Sequence, residues 1–246
     1  MCRMVGVVFQ DEFPIQTLRD LQHIAEVGRV PNEEKVGHKD GWGIASFMGG
    51  SPRLIGKSIR PIHMDPSFDS AILSIQSIFA PNVLVAHARA ASRGTVSMEN
   101  THPFMTEDLV FAHNGTIHDF NPVTKRKPKG QTDSERLLML LADRKDELGS
   151  LESALKTVIT KDLRSYTFSA TVLLVSDGKM LFGYREYTKP ENEWYYKLKL
   201  AKFESSLVLF QEVVDESGCG GEASELKNGE LVSIDLDLRV RREMLL

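Results

Sequence analysis

The stretch Cys2-Arg3-Met4-Val5-Gly6-Val7-Val8-Phe9 decides how the rest of the chain is read. From Met4 onward it is a short apolar run rich in β-branched residues, the pattern of a buried strand. It begins almost at the first residue. Such a strand fixes the terminus in the fold, so Cys2 is held instead of fraying.

Outward from this strand the periodicity alternates between strand and helix. Ile15, Leu18, Leu21 and Ala25 fall at helical spacing, with Pro14 ahead of them and Gly28 behind. Trp42 to Met48 and Arg53 to Ile59 read as two strands joined by the turn Gly49-Gly50-Ser51-Pro52. Asp65-Pro66 is a helix start, and Phe68, Ala71, Ile72, Ile75, Ile78 and Phe79 give one apolar helix face. Val83 to Ala88 and Leu109 to Ala112 read as buried strands. Thr132-Asp133-Ser134-Glu135 has capping-box spacing ahead of a Leu-rich helix, and a second helix follows from about Ser150 to Leu163. Strands are expected at Phe168–Val175, Lys179–Tyr184, Leu207–Gln211 and Glu230–Ile234. Strands in groups, with helices between the groups, fit an α+β fold of two antiparallel sheets with helices packed outside.

Composition narrows the functional classes. The 246 residues are 41% hydrophobic and 26% charged, values of a soluble globular chain that buries a core without staples. One domain over residues 2–246 is expected, with no linker to split it. A net charge of -4 argues against a broad nucleic-acid surface. The one basic cluster, Lys125, Arg126, Lys127 and Lys129, is interrupted by Pro128 and reads as a solvated loop. Two cysteines, Cys2 and Cys219, exclude a disulfide scaffold and a four-thiolate zinc site within the chain. The longest clean apolar run, Ala170 to Val175, is far short of a membrane span, and no signal-peptide pattern opens the chain. A cytoplasmic location is the default expectation, with no nucleic-acid or membrane partner.

Cys2 is the first chemically unusual residue. Removal of Met1 makes it the first residue of the mature chain, with a thiol and a free α-amine together. Their reference pKa values are about 8.5 and about 7.7–8.0, close enough for the amine to act as base for the thiol, directly or through a water.

Further stretches occur with it in a fixed order: Gly37-His38-Lys39-Asp40-Gly41-Trp42-Gly43-Ile44-Ala45, His87-Ala88-Arg89-Ala90-Ala91-Ser92, Asn100-Thr101-His102-Pro103-Phe104, Ala112-His113-Asn114-Gly115-Thr116, and Thr132-Asp133-Ser134-Glu135. With Cys2 they resemble the class II glutamine amidotransferases, especially the compact stand-alone type. The resemblance covers roughly the first 140 residues and implies the four-layer α-β-β-α sandwich of N-terminal-nucleophile hydrolases.

The resemblance also implies roles. Cys2 attacks the side-chain amide of glutamine and carries a γ-glutamyl thioester. The Asn114 amide and the Gly115 N–H form an oxyanion hole. Arg89 grips the α-carboxylate with its planar fork, and Asp133 accepts from the α-ammonium. Trp42 and Gly43 shape the pocket floor, and Thr132 completes the substrate set. No metal or organic cofactor is expected. The ammonia goes to a separate synthase subunit, or the chain hydrolyses γ-glutamyl amides or peptides outright. Two other readings are an inactive glutamine-binding module and an N-terminal-nucleophile amidase acting on other acylated amides. His87, His102 and His113 match no metal spacing and read as hydrogen-bonded core residues.

After Glu135 the resemblance thins. Phe210-Gln211-Glu212-Val213 lacks the Ser-Glu-Pro-like signature of the related stand-alone proteins. Glu191 to Lys197 reads as a buried aromatic cluster, or else a partner face or substrate-tail site. Cys219, in Ser-Gly-Cys-Gly-Gly, receives no role.

Overall fold

Alternation along the first strand, β1 (Arg3–Phe9), sets up the layers in the computed structural model, which describes residues 2–31, 36–212 and 223–246. Val5, Val7 and Phe9 pack with two helices, whereas Met4 and Val8 join a second core on the opposite face. A strand's side chains alternate with period two, so one strand feeds two cores.

The strands that follow in chain order are β2 (Trp42–Met48), β3 (Ser51–Ser58), β4 (Asn82–Ala88), β5 (Phe104–Met105) and β6 (Val110–Ile117). Then come β7 (Phe168–Ser176), β8 (Met180–Tyr187), β9 (Lys199–Lys202), β10 (Ser206–Phe210), β11 (Ser224–Glu225), β12 (Glu230–Asp235) and β13 (Val240–Met244). One sheet runs β11-β9-β10-β1-β4-β2-β3, the other β13-β12-β8-β7-β6-β5. Every described pairing is antiparallel.

Helices α1 (Gln16–Val27) and α2 (Pro66–Ile75) cover the seven-stranded sheet through Leu18, Leu21, Phe68 and Ile72. Helices α3 (Asp133–Leu148) and α4 (Leu151–Thr160) cover the six-stranded sheet through Leu137, Leu141, Leu155 and Val158. The sheets face each other across a core that includes Met4, Val85, Ala112, Val172 and Leu181. This is the expected α-β-β-α sandwich.

Two local expectations change. The apolar stripe after Ile75 does not continue as helix: α2 stops there, and Phe79 is 88% exposed. The capping box at α3 is half made. Thr132 Oγ1 accepts from the Glu135 N–H at 3.2 Å, but the Glu135 carboxylate turns to the N–H groups of Lys129 (2.9 Å) and Gly130 (2.6 Å). Competing backbone donors in the preceding loop have taken the acid that a reciprocal box needs. Strands β5, β9, β11 and β13 were not expected; all are five residues or fewer, too short to show a period. Cys219 lies outside the described residues.

Candidate active site

Cys2 stands at the start of β1, beside the end of β4, because Arg3 pairs with Ala88 in the antiparallel register. On β6 of the other sheet, Val110 and Ala112 point into the sandwich interior, and Asn114 has the same parity. The two residues therefore meet between the sheets. The Cys2 N–H donates to Asn114 Oδ1 at 3.0 Å, and Asn114 Nδ2 returns a bond to the Cys2 carbonyl at 2.9 Å. The Cys2 thiol donates weakly to the Ala90 carbonyl at 3.7 Å.

The second Nδ2 hydrogen of Asn114 goes to Gln211 Oε1, also at 2.9 Å. An amide nitrogen has two hydrogens, and both are engaged. In this arrangement Asn114 orients the nitrogen of Cys2, and the oxyanion role expected of it calls for one of these two hydrogens to turn to the substrate. Gly115 is demanded by its backbone. Its φ is +153°, and a Cβ there would collide with the Ala170 carbonyl.

Arg89 follows β4 and is 2% exposed. Its guanidinium donates to the carbonyls of Arg93 (2.9 Å) and Thr95 (3.2 Å), with no carboxylate at ion-pair distance among the described residues. Burial pulls it below the ordinary arginine value, opposed by Cys2 and Asp40. Asp133, in the first turn of α3, accepts from the Ile117 N–H at 2.6 Å through one oxygen.

Cys2, Arg89, Gly115, Thr132 and Asp133 line one cavity of about 20 Å³, room for about one water. Trp42 and Gly43 do not line it. Trp42 lies on the outward face of the seven-stranded sheet, edge-on to Phe68 at 5.0 Å, and its Nε1–H donates to the Asp65 carboxylate at 3.1 Å. The expected pocket-floor role fails because strand alternation sends Trp42 away from Cys2. Gly43 points the other way, where a Cβ would strike the His102 carbonyl. It admits that backbone and does not meet the cavity.

Of the three histidines expected to be hydrogen-bonded in the core, His113 is, and His87 and His102 differ. His113 Nδ1 meets Ser134 Oγ at 2.9 Å. His87 and His102 stack at 4.1 Å, and none of their four ring nitrogens reaches a partner at hydrogen-bond geometry, although His87 leans toward the His113 carbonyl. Burial holds all three below the usual histidine range, so they are neutral near pH 7.

Sequence reasoning missed the groups that brace Cys2. Its carbonyl also accepts from Tyr195 Oη (3.1 Å) and Arg3 Nη1 (3.3 Å). Arg3 is buried, lies 4.0 Å over the Tyr195 ring and pairs with Glu212 at 2.5 Å. The Tyr195 hydroxyl spends its one hydrogen on Cys2, so His38 Nε2–H donates to it at 3.2 Å. Burial, with Arg3 nearby, pushes His38 down to about 2, and it is neutral. Tyr195 does sit in the buried aromatic cluster read from the sequence, but nothing local ties it to residue 2, 193 positions away.

The fold and the convergence on Cys2 define a class, and comparison with known proteins agrees. The chain belongs to the class-II glutamine amidotransferases, whose family pattern matches residues 1–214. It is 27% identical to an uncharacterised protein of Methanocaldococcus jannaschii, over 98% of this chain and 74% of that protein. Among solved structures it resembles a glutamine aminotransferase class-II domain protein from Silicibacter pomeroyi, with TM-score 0.61, 18% identity and 99% of each chain covered. The glutamine phosphoribosylpyrophosphate amidotransferase of Bacillus subtilis superposes with TM-score 0.66 and 17% identity, over the whole of this chain and 49% of that one. At these identities the structures speak for the N-terminal-nucleophile fold alone.

Proposed function

We propose that this chain hydrolyses the side-chain amide of glutamine, using Cys2 as its N-terminal nucleophile once Met1 is removed. The observation that carries the reading is the held nitrogen of Cys2, bonded to Asn114 Oδ1 at 3.0 Å, on the cavity that Arg89 and Asp133 also line.

The α-amine takes the thiol proton, and the thiolate attacks the amide carbon. Charge builds on the amide oxygen, and the Gly115 N–H is the donor assigned to it. The amine then gives its proton to the leaving nitrogen, ammonia departs, and a γ-glutamyl thioester remains on Cys2. Water, deprotonated by the same amine, attacks the thioester and releases glutamate. Glutamine and water thus become glutamate and ammonia, and the enzyme is regenerated. Arg89 meets the α-carboxylate, and the free oxygen of Asp133 meets the α-ammonium. A cavity of about 20 Å³ does not hold an amino acid, so binding displaces the 91–93 segment that lines it. The ammonia acceptor, and any synthase subunit that supplies it, belong to this reading as its open end.

The test is intact mass together with ammonia release from free glutamine and from γ-glutamyl peptides. Loss of Met1 with turnover of glutamine is expected. Turnover of γ-glutamyl peptides alone would move the substrate assignment. Glutamine binding without turnover in Met-free protein would make the chain a binding module, and retained Met1 in active protein would remove the mechanism.

A further inference from the structure

The basic cluster read from the sequence as a solvated loop turns out to border the largest cavity described. Arg126, Lys127 and Lys129 rim a space of about 700 Å³ with Lys57, which comes from β3, an edge strand of the other sheet. That volume lies in the range of small-molecule sites. Its floor is apolar and is built by Pro103, Phe104, Met105 and Met139.

Four cations and three carboxylates line the space, and the cations are not all paired. Glu99, Glu107 and Glu135 also line the space. Glu107 answers Arg126 at 3.7 Å, and Arg126 is further tied to Asp143 and Asp146 at 2.8 Å each. Glu135 spends both oxygens on the N–H groups of Lys129 and Gly130. Glu99 is exposed. Lys57, Lys127 and Lys129 have no ion pair among the described residues. The Lys57 ammonium donates to the Thr101 carbonyl at 2.6 Å and sits 5.7 Å from the centre of the Phe104 ring. It is held at the boundary between the apolar floor and the open side.

We propose that this cavity binds a small anion with an apolar or aromatic body, the anionic group seated on Lys57, Lys127 and Lys129 and the body lying on Phe104 and Met139. A charged group is recognised by cations that lack an ion pair, and a desolvated ammonium beside an aromatic face favours an anion carrying a flat or greasy substituent. The site backs onto the Cys2 cavity. His102 and Ser134 line that cavity, and their chain neighbours Pro103 and Glu135 line this one. The inference does not rest on amide cleavage, because occupancy is read without turnover.

Burial pulls Lys57 down to about 8, against Glu135 and Glu99, which raise it. With Glu107, Arg126, Lys127 and Lys129 as the other charges around it, anion binding weakens as pH rises through about 8 and the ammonium is lost.

The probe is phenyl phosphate, titrated into the full chain and followed by methionine-methyl NMR, with benzyl alcohol as the neutral counterpart and inorganic phosphate as the bodiless one. Saturable shifts at Met105 and Met139 are expected, with phenyl phosphate the tightest of the three. Lys57→Met should weaken it about tenfold or more. The double variant Lys127→Met/Lys129→Met, at two exposed loop positions, should weaken it several-fold and serves where Lys57→Met disturbs folding. No saturable response, equal binding of benzyl alcohol, or unchanged affinity in both variants overturns the proposal.

Discussion

Trp42 and Gly43 are neighbours in the chain, yet they serve opposite faces of one sheet. The outward face carries Trp42 with Phe68 and Ile72 under α1 and α2. The inward face carries Met4 and Val8, and Cys2 and Gln211 share its parity at the ends of β1 and β10. The outward face is mainly apolar packing, in which Trp42 donates to Asp65. The inward face, at one end, gives up packing for a polar network around the Cys2 backbone. The comparison teaches that residue type is a poor guide to a pocket in a β sandwich, since parity decides which face a side chain can reach.

Substitutions can break this comparison, and the largest effect is expected at the facing sheet. Gly115→Ala should abolish glutamine turnover and cost about 2–4 kcal/mol of stability, because the methyl meets the Ala170 carbonyl and the φ is unfavourable. Chemical denaturation with an activity assay reads both, and an active, stable variant would mean that the backbone there is not constrained.

Next is Arg89→Lys. An ammonium cannot reproduce the bidentate fork, so KM for glutamine should rise about ten- to a hundredfold, with kcat changed less. An unchanged KM would take the α-carboxylate away from Arg89.

Smaller still is Gln211→Leu, which releases one Nδ2 hydrogen of Asn114 and loosens its hold on Cys2. A fall in kcat of about tenfold with KM within twofold is expected. A kcat at or above that of the parent would show that Asn114 needs no such brace.

Least affected should be catalysis in Trp42→Phe. Loss of the bond to Asp65 and of ring volume should lower stability by about 1–3 kcal/mol and leave KM unchanged. A raised KM would put Trp42 back at the substrate and erase the distinction between the faces.

Much of the site was legible because its chemistry sits in short local motifs. Cys2, Arg89, Gly115, Thr132 and Asp133 were named from sequence and share one cavity. Asn114 was named too, and the structure adds that both its Nδ2 hydrogens are engaged, by the Cys2 carbonyl and by Gln211. Arg3, His38, Tyr195 and Gln211 carried no signal for the role they have. Each acts through a backbone or side-chain atom far away in sequence, and no local pattern encodes that distance.

By itself the sequence determined the alternation of strands and helices, the α+β layering and the family, because period and motif spacing are properties of the chain read in order. The tertiary structure alone decided which face of β2 looks at Cys2, which donors hold the Cys2 carbonyl, and that Lys57 meets the 126–129 loop over an apolar floor. Those follow from register and sheet packing, which bring distant residues within hydrogen-bond reach and turn adjacent ones away from each other.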